Sequence, residues 1–511
     1  MLVMTDNELS ENLAIRSSSP RSASFGIDVV KLISGTTIAQ VVGIITAPIL
    51  TRLYSPAAYG ILSVFTSIIT IIAIISCLRY EMAIMLPESK ENAGNLMIGS
   101  IFISLAIAFL TIPIIWLAGP SFTKILNVPE LTPYLWWIPP TVFLGGTTVG
   151  HPALNYWTTR TKHFGWLSIA RVVGVVVIIG IQFAAALLGY ANGSSLILAS
   201  IFGGGIVSTV ILAGEIWKHD AKFIIKSYRW NLMLEDLKRY KKFPLFDSWA
   251  ALLNTISWQL PSFLLATFFS TTVAGLYAMG NNLLRIPMSV VGSSISQVFY
   301  QRASEAKKNG TLAGMVEVTY SYLVKIGMFP FLILTIIGKN LFLIILGSNW
   351  VEAGVYTQIL SIWTFVWFIS SPLSTLFRLL EEQEFSLSIN IVILVTRVLS
   401  LLAGGLLHSA RIALFLFAGS GILVYGYLSL ATLFHSGVQL SRMLKILLHN
   451  LLIFLPIGCL LIVLLILNLN SWILVGISGV ILFIYYLYLM KSDTRILGFI
   501  TRMLHSRANN N

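Results

Sequence analysis

The sequence predicts an all-α polytopic membrane protein, and three observations carry that reading. Of its 511 residues, 56% are hydrophobic and only 10% charged, a balance too apolar for a soluble chain. Mean hydropathy is +0.85. Apolar runs of about 20 residues, the length that lets a helix cross a hydrocarbon core of about 30 Å, recur along the whole chain. The architecture expected is about fourteen transmembrane helices. They form two pseudo-symmetric six-helix bundles plus two C-terminal helices around a central cavity.

The opening residues, MLVMTDNELSENLAIRSSSPRSAS, are polar and lack an apolar signal core, so no cleaved leader is expected and 1–28 reads as a cytoplasmic tail. Spans near 29–50, 60–80, 96–118, 134–157, 165–188 and 195–216 make an N-terminal lobe, 29–216. Residues 217–244 form a basic cytoplasmic linker. Spans near 245–269, 274–299, 316–338, 354–378, 386–407 and 411–434 make a C-terminal lobe, 245–434. A helix pair, 450–468 and 472–490, occupies 435–490, and 491–511 is a second cytoplasmic tail. An even number of spans puts both ends on one side.

Charge sets the orientation. With Arg79 and Arg378 counted at the cytoplasmic border, 24 lysines and arginines fall inside and four (Arg52, Lys124, Lys339 and Arg411) outside. The formal charge of +13 is therefore topogenic and does not imply nucleic acid. Its densest cluster, WKHDAKFIIKSYRWNLMLEDLKRYKKF, is a juxtamembrane amphipathic segment suited to anionic lipid. Both termini are therefore expected to be cytoplasmic.

The two lobes echo one another. ILTRLYSPAAYGIL from Ile49 aligns with LLATFFSTTVAGLY from Leu264, pairing Ser55 with Ser270 and Gly60 with Gly275. PALNYWTTRTKHF from Pro152 aligns with PLSTLFRLLEEQEF from Pro372. Six spans per lobe give both the same topology, so the repeat is parallel, with a cavity between lobes and alternating access.

Enzymatic chemistry finds no foothold. The outer connections, the longest near 120–133 and 339–353, are too short for a catalytic domain. There is no Walker A loop, HExxH or GxSxG motif, and the seven histidines, His151 and His163 among them, are scattered as packing or interfacial residues. Cys77 and Cys459 support neither a disulfide framework nor zinc, so no metal site and no cofactor is expected. Gly145-Gly146 and Gly203-Gly204-Gly205 read as packing or hinge points inside spans.

Buried charges are the more informative signal, because ionisable residues inside a bilayer face a cavity or a partner. At 1.5 Å per residue, Arg285, Lys325 and Arg397 lie about 17, 14 and 16 Å into their helices, near the midplane. Arg171 is shallower. Lys31, Arg79, Glu81 and Asp247 sit where a side chain can snorkel to the inner interface. Three deep cations predict an anionic cargo, with planar guanidinium groups suited to phosphate. Asn254, Trp258, Gln259, Asn281, Asn282 and Gln297 add polar and aromatic contacts a sugar could use. In CLRYEMAIMLP, Arg79 and Glu81 stand two apart, which on a helix precludes their pairing and assigns each another partner.

TRLYSPAAYG, LRYEMAIMLPES, KKFPLFDSWAALLNTISWQLPSFLLATFF and GLYAMGNNLLRIPMSVVGSSISQVFYQRA together resemble the polysaccharide transporter family of the multidrug/oligosaccharidyl-lipid/polysaccharide exporter superfamily, over roughly 29–435. The resemblance implies a V-shaped Wzx-type flippase that carries an undecaprenyl-pyrophosphate-linked oligosaccharide, of O-antigen, capsule or exopolysaccharide, from the inner to the outer leaflet. It also implies a bacterial inner membrane location, and contact with membrane lipids and with other polysaccharide assembly proteins. It assigns Arg79, Glu81 and Pro87 to a motif at the inner gate or headgroup entry. Proton or sodium coupling is open. The alternatives are a multidrug cation antiporter, which would want membrane carboxylates, and a glycosyltransferase or polymerase, which would want a large outer loop.

Overall fold

The computed structural model describes residues 20–147, 150–380 and 382–492, so the outer parts of both expected tails lie outside the described residues. Among those residues the regular structure is helical throughout. The first half comprises α1 (Pro20–Leu53), α2 (Pro56–Ala73), the short α3 (Tyr80–Ala83) and α4 (Lys90–Ile125). It continues with α5 (Ile138–Phe143), α6 (Pro152–Arg160), α7 (Phe164–Leu187), α8 (Gly193–Ala199) and α9 (Ser208–His219). The linker folds as α10 (Ala221–Ser227) and α11 (Trp230–Arg239). The second half comprises α12 (Ser248–Phe268), α13 (Thr271–Pro287), α14 (Ser293–Lys308), α15 (Leu312–Ile345) and α16 (Val351–Leu373). After α17 (Leu376–Leu379) come α18 (Gln383–Leu406), α19 (Ala410–Ser436), α20 (Leu440–Ile466) and α21 (Ser471–Ser492).

Eleven segments of the described residues are long and apolar enough to cross a membrane. The expected spans 134–157, 245–269 and 274–299 are not among them. In 134–157 the helix is interrupted: Gly145, Gly146 and Gly150 take φ of +78, +113 and +73°, unwinding the chain between α5 and α6. A Cβ on Gly145 would lie 2.0 Å from Pro152 Cδ, so only glycine fits there. Gly145-Gly146 thus breaks the helix instead of packing inside it. Gly203 does pack closely, in the π-helical turn Ser200–Val207 that joins α8 to α9, where its Cβ would meet Gly174 O at 2.6 Å. In 274–299, Pro287 ends α13 and a π-helical turn, Met288–Gly292, leads into α14.

The paired repeat signals meet at one crossing. Ser55 caps α2 by accepting Ala58 N at 3.3 Å, and Ser270 caps α13 by accepting Val273 N at 3.2 Å. A Cβ on Gly60 would stand 1.8 Å from Thr271 O, and one on Gly275 would stand 1.9 Å from Pro56 O. These contacts are reciprocal, as a two-fold relation between the helices requires. The absent side chains let two backbones touch. Gly275→Val should therefore cost at least the 1–3 kcal/mol typical of overpacking, read as a fall in melting temperature in detergent. An unchanged melting temperature would remove this crossing as the closest approach of the two helices.

A large core runs from α2 through the second half around Trp350, Trp363 and Phe368. A separate core in the first half gathers Tyr80, Leu96, Trp157 and Leu212. The final pair docks on α15, where Phe329 stacks on Tyr485 with ring centroids 3.5 Å apart. On α4, Phe109, Leu110, Ile114 and Trp116 are exposed, an apolar surface suited to lipid.

Candidate functional site

Trp258 of α12 is the centre of the strongest cluster. Two guanidinium carbons lie over its indole ring, that of Arg397 from α18 at 4.3 Å and that of Arg285 from α13 at 5.0 Å. An aromatic face attracts each cation by about 0.5–2 kcal/mol, which offsets part of the cost of bringing two like charges together. Among the described residues neither arginine forms a salt bridge with a carboxylate.

The two cations differ. Arg397 is 4% exposed and fully engaged with neutral acceptors. Its Nη1 donates to Ser257 O at 3.2 Å and Oγ at 3.0 Å, and its Nη2 to Tyr425 Oη at 3.0 Å. Arg285 is exposed, its donors accessible to a ligand. An aromatic wall continues the site: Trp258 and Trp367 have centroids 5.1 Å apart, and Trp363 stacks on Trp367 at 6.4 Å. Trp363 Nε1 is buried and has no partner among the described residues. Gly421 makes room for that indole, since a Cβ there would lie 2.1 Å from Trp363 Cδ1.

Gln259 and Ser262, on the same helix as Trp258, face α2. Ser67 Oγ donates to Gln259 Oε1 at 3.1 Å, and Ser63 and Ser262 hydroxyls meet at 3.1 Å. Asn254, one turn before Trp258, and Asn282, just before Arg285, are exposed; Asn281 is half-buried. The side chain of Gln297 lies outside the described residues. Lys325 does not join the arginine pair. It lies on α15 beside the terminal helices, where Tyr485 Oη donates to its carbonyl at 2.6 Å. Arg171 is also elsewhere: its Nη1 donates to Thr36 Oγ1 on α1.

At the opposite end of α2 from Ser55, the chain leaves the helix through Leu78 and Arg79 at φ of +48 and +63°. This corrects the helical reading of CLRYEMAIMLP. Because Arg79 is left-handed, its guanidinium reaches both acids, Asp247 Oδ2 at 2.8 Å and Glu81 Oε1 at 3.5 Å. Glu81 Oε2 is buried and has no partner among the described residues. Glu81 lies outside the candidate spans, and burial pushes its carboxyl up to about 7, with Arg79 opposing and Asp247 adding to the rise. Arg160 holds the end of this motif, donating to Ile84 O at 3.0 Å and to Pro87 O.

The Ser55 end is closed by contacts between the two halves. Arg52 donates to Ile344 O and Ile345 O, both at 3.1 Å, at the C-terminus of α15, and Trp350 Nε1 donates to Thr51 O at 2.8 Å. A cation on free helix carbonyls complements the helix dipole. Sequence reasoning missed Arg160, Arg52, Trp363, Trp367 and Tyr425. The i, i+4 spacing of Trp363 and Trp367 was the one local sign, since it puts both rings on one helix face.

Eleven long apolar helices define a multi-pass helical membrane protein, and among the described residues its arginine pair has no carboxylate partner. The chain belongs to the polysaccharide biosynthesis protein family, whose profile matches residues 49–355. It is 22% identical over 316 residues to the succinoglycan biosynthesis transport protein ExoT of Rhizobium meliloti (strain 1021), covering 60% of each protein. The chain thus spans less than two thirds of that relative's length. Among solved structures it resembles the lipid II flippase MurJ in an inward closed conformation, with TM-score 0.63 and 14% identity over 89% of this chain and 99% of that one. An inward-facing multidrug resistance MATE family transporter of the MOP superfamily gives TM-score 0.60 at 14% identity, over 81% and 99%. A mutant of the Vibrio cholerae MATE transporter VcmN gives 0.53 at 14% identity, over 81% and 96%. At such identity the shared property is the fold.

Proposed function

We propose that this protein is a flippase that carries an anionic undecaprenyl-pyrophosphate-linked oligosaccharide, an O-antigen, capsule or exopolysaccharide unit, from the inner to the outer leaflet by alternating access. The observation that carries the reading is the exposed Arg285 guanidinium beside Trp258, with Arg397 fixed behind it and, among the described residues, no carboxylate to neutralise either. Guanidinium donors suit a pyrophosphate bidentately, and the Trp258, Trp367 and Trp363 faces suit sugar rings. A cation antiporter would want the opposite charge at this place. The decisive assay is translocation of a lipid-linked oligosaccharide in proteoliposomes, with export of a cationic dye as the contrasting measurement. Dye export without glycan movement would reverse the assignment.

In this proposal fourteen spans cross the inner membrane, counting the interrupted 129–160 segment, α12 and the α13–α14 rod with the eleven longer ones. Both termini are cytoplasmic, the Arg79–Asp247 end faces the cytoplasm, and the Arg52 end faces out. The charge asymmetry of the connections supports this orientation. Single-cysteine variants Asn470→Cys and Lys491→Cys, in a background without Cys77 and Cys459, should react with an impermeant maleimide from outside and from inside respectively. Labelling of both from one side would remove the last helix from the count.

A further inference from the structure

We infer that residues 218–242 form a rigid strap whose exposed face binds anionic phospholipid. This segment carries eight lysines and arginines and three acids. Folding sorts them: all eight bases are exposed, whereas Asp220 and Asp236 are only 5% and 3% exposed. Each inward acid has its own partners. Asp220 accepts Lys90 Nζ at 2.7 Å and Trp157 Nε1 at 2.9 Å, and Asp236 accepts Asn92 Nδ2 at 3.1 Å. Glu235 is the one acid of the strap left outside, so the outer face is far more positive than the composition alone implies.

The strap is bolted to the bundle. The buried amide of Asn95 donates to Ser227 O at 3.0 Å and accepts Arg229 N at 3.0 Å, gripping the chain between α10 and α11. Tyr80 Oη donates to Leu237 O at 2.9 Å, and Met233 is buried beneath α11. Apolar side chains nevertheless remain outside, with Ile225 65% and Trp230 55% exposed. Trp230 meets Phe102 at 6.4 Å between centroids, and Phe102 is itself an exposed residue of the apolar α4. That contact sets the strap at the edge of the hydrocarbon, where an indole prefers to lie. Outward bases beside partly buried apolar anchors match an acidic bilayer surface, in which phosphates meet lysine and acyl chains meet Ile225 and Trp230.

The test uses the full chain in mixed micelles of phosphatidylglycerol and phosphatidylcholine, with retained lipid counted by native mass spectrometry. Wild-type protein should retain phosphatidylglycerol in preference. Raising salt from about 0.1 M to about 1 M, which shortens the screening length from about 10 to about 3 Å, should shrink that preference. A variant carrying Lys222→Gln, Lys226→Gln, Lys238→Gln and Lys241→Gln should lose at least about tenfold of it, given roughly fivefold per charge near such a surface. Ile225→Ser with Trp230→Ser should weaken retention of both lipids while keeping the charge preference. The elution profile checks that each variant is folded. An equal phosphatidylglycerol preference in the wild-type and four-lysine variants would overturn the inference, and would leave an acidic protein as the strap's partner.

Discussion

Under the proposed function, Arg285→Glu should abolish glycan translocation while leaving the protein folded and inserted; Arg285→Ala should lower it at least about tenfold, and Arg285→Lys should retain part of it. The order follows from what each side chain presents beside Trp258. Alanine removes the charge, lysine keeps the charge but loses the planar fork, and glutamate repels a pyrophosphate. Because Arg285 is exposed, its removal leaves no buried hydrogen-bonding group stranded. Arg397 should behave differently. Its three hydrogen bonds and near-complete burial make Arg397→Ala a folding defect, costing roughly 2–5 kcal/mol in stranded partners and lost packing. Arg397→Lys cannot span Ser257 and Tyr425 together, so it should not rescue. The measurement is transport per folded molecule, with membrane level and melting temperature beside it. Equal transport per molecule for the alanine, lysine and glutamate variants at 285 would show that Arg285 does not read the cargo.

The helical class and most spans were legible because hydrocarbon demands long apolar segments, and eleven of them stand out on length and composition alone. The sequence paired Gly60 with Gly275, each five residues after Ser55 or Ser270, as a repeat, but only the folded chain shows that the two glycines meet where α2 crosses α13. What depth along a helix could not supply was direction. Arg285, Lys325 and Arg397 are expected at similar depths, yet only the two arginines meet over Trp258, while the Lys325 backbone lies against Tyr485 of the terminal pair. Helix breaks were equally hidden. The reading of Arg79 and Glu81 assumed helical geometry, and two consecutive left-handed residues, Leu78 and Arg79, reversed it. The inward sorting of Asp220 and Asp236 was hidden too, because a charge count carries no information about which side of a strap each residue faces.

Glu81→Gln should flatten the pH dependence of stability between about pH 4.5 and 7, and Asp247→Asn should shift that dependence to lower pH. Burial raises the Glu81 carboxyl from its ordinary 4.5 to about 7. Within that window the folded protein holds a proton that the unfolded chain has released, so stability falls as pH rises. The contribution is fully present below about 4.5 and is lost through about 7; at about 1.36 kcal/mol per pH unit it amounts to roughly 3 kcal/mol. The informative quantity is the difference between wild type and Glu81→Gln. Asp247 contributes to the raised value by repelling the Glu81 charge, and it also competes for Arg79 at 2.8 Å. Asp247→Asn therefore lets Glu81 ionise earlier and hands Arg79 to it, replacing a contact between the turn after α2 and the start of α12 with one inside the motif. Transport should fall more than melting temperature does, since the lost contact joins the turn after α2 to the start of α12 while each keeps its own packing. Parallel pH profiles for wild type and Glu81→Gln would refute the buried-proton account. Full transport by a stably inserted Asp247→Asn protein would show that the Arg79–Asp247 contact does not gate the inner mouth.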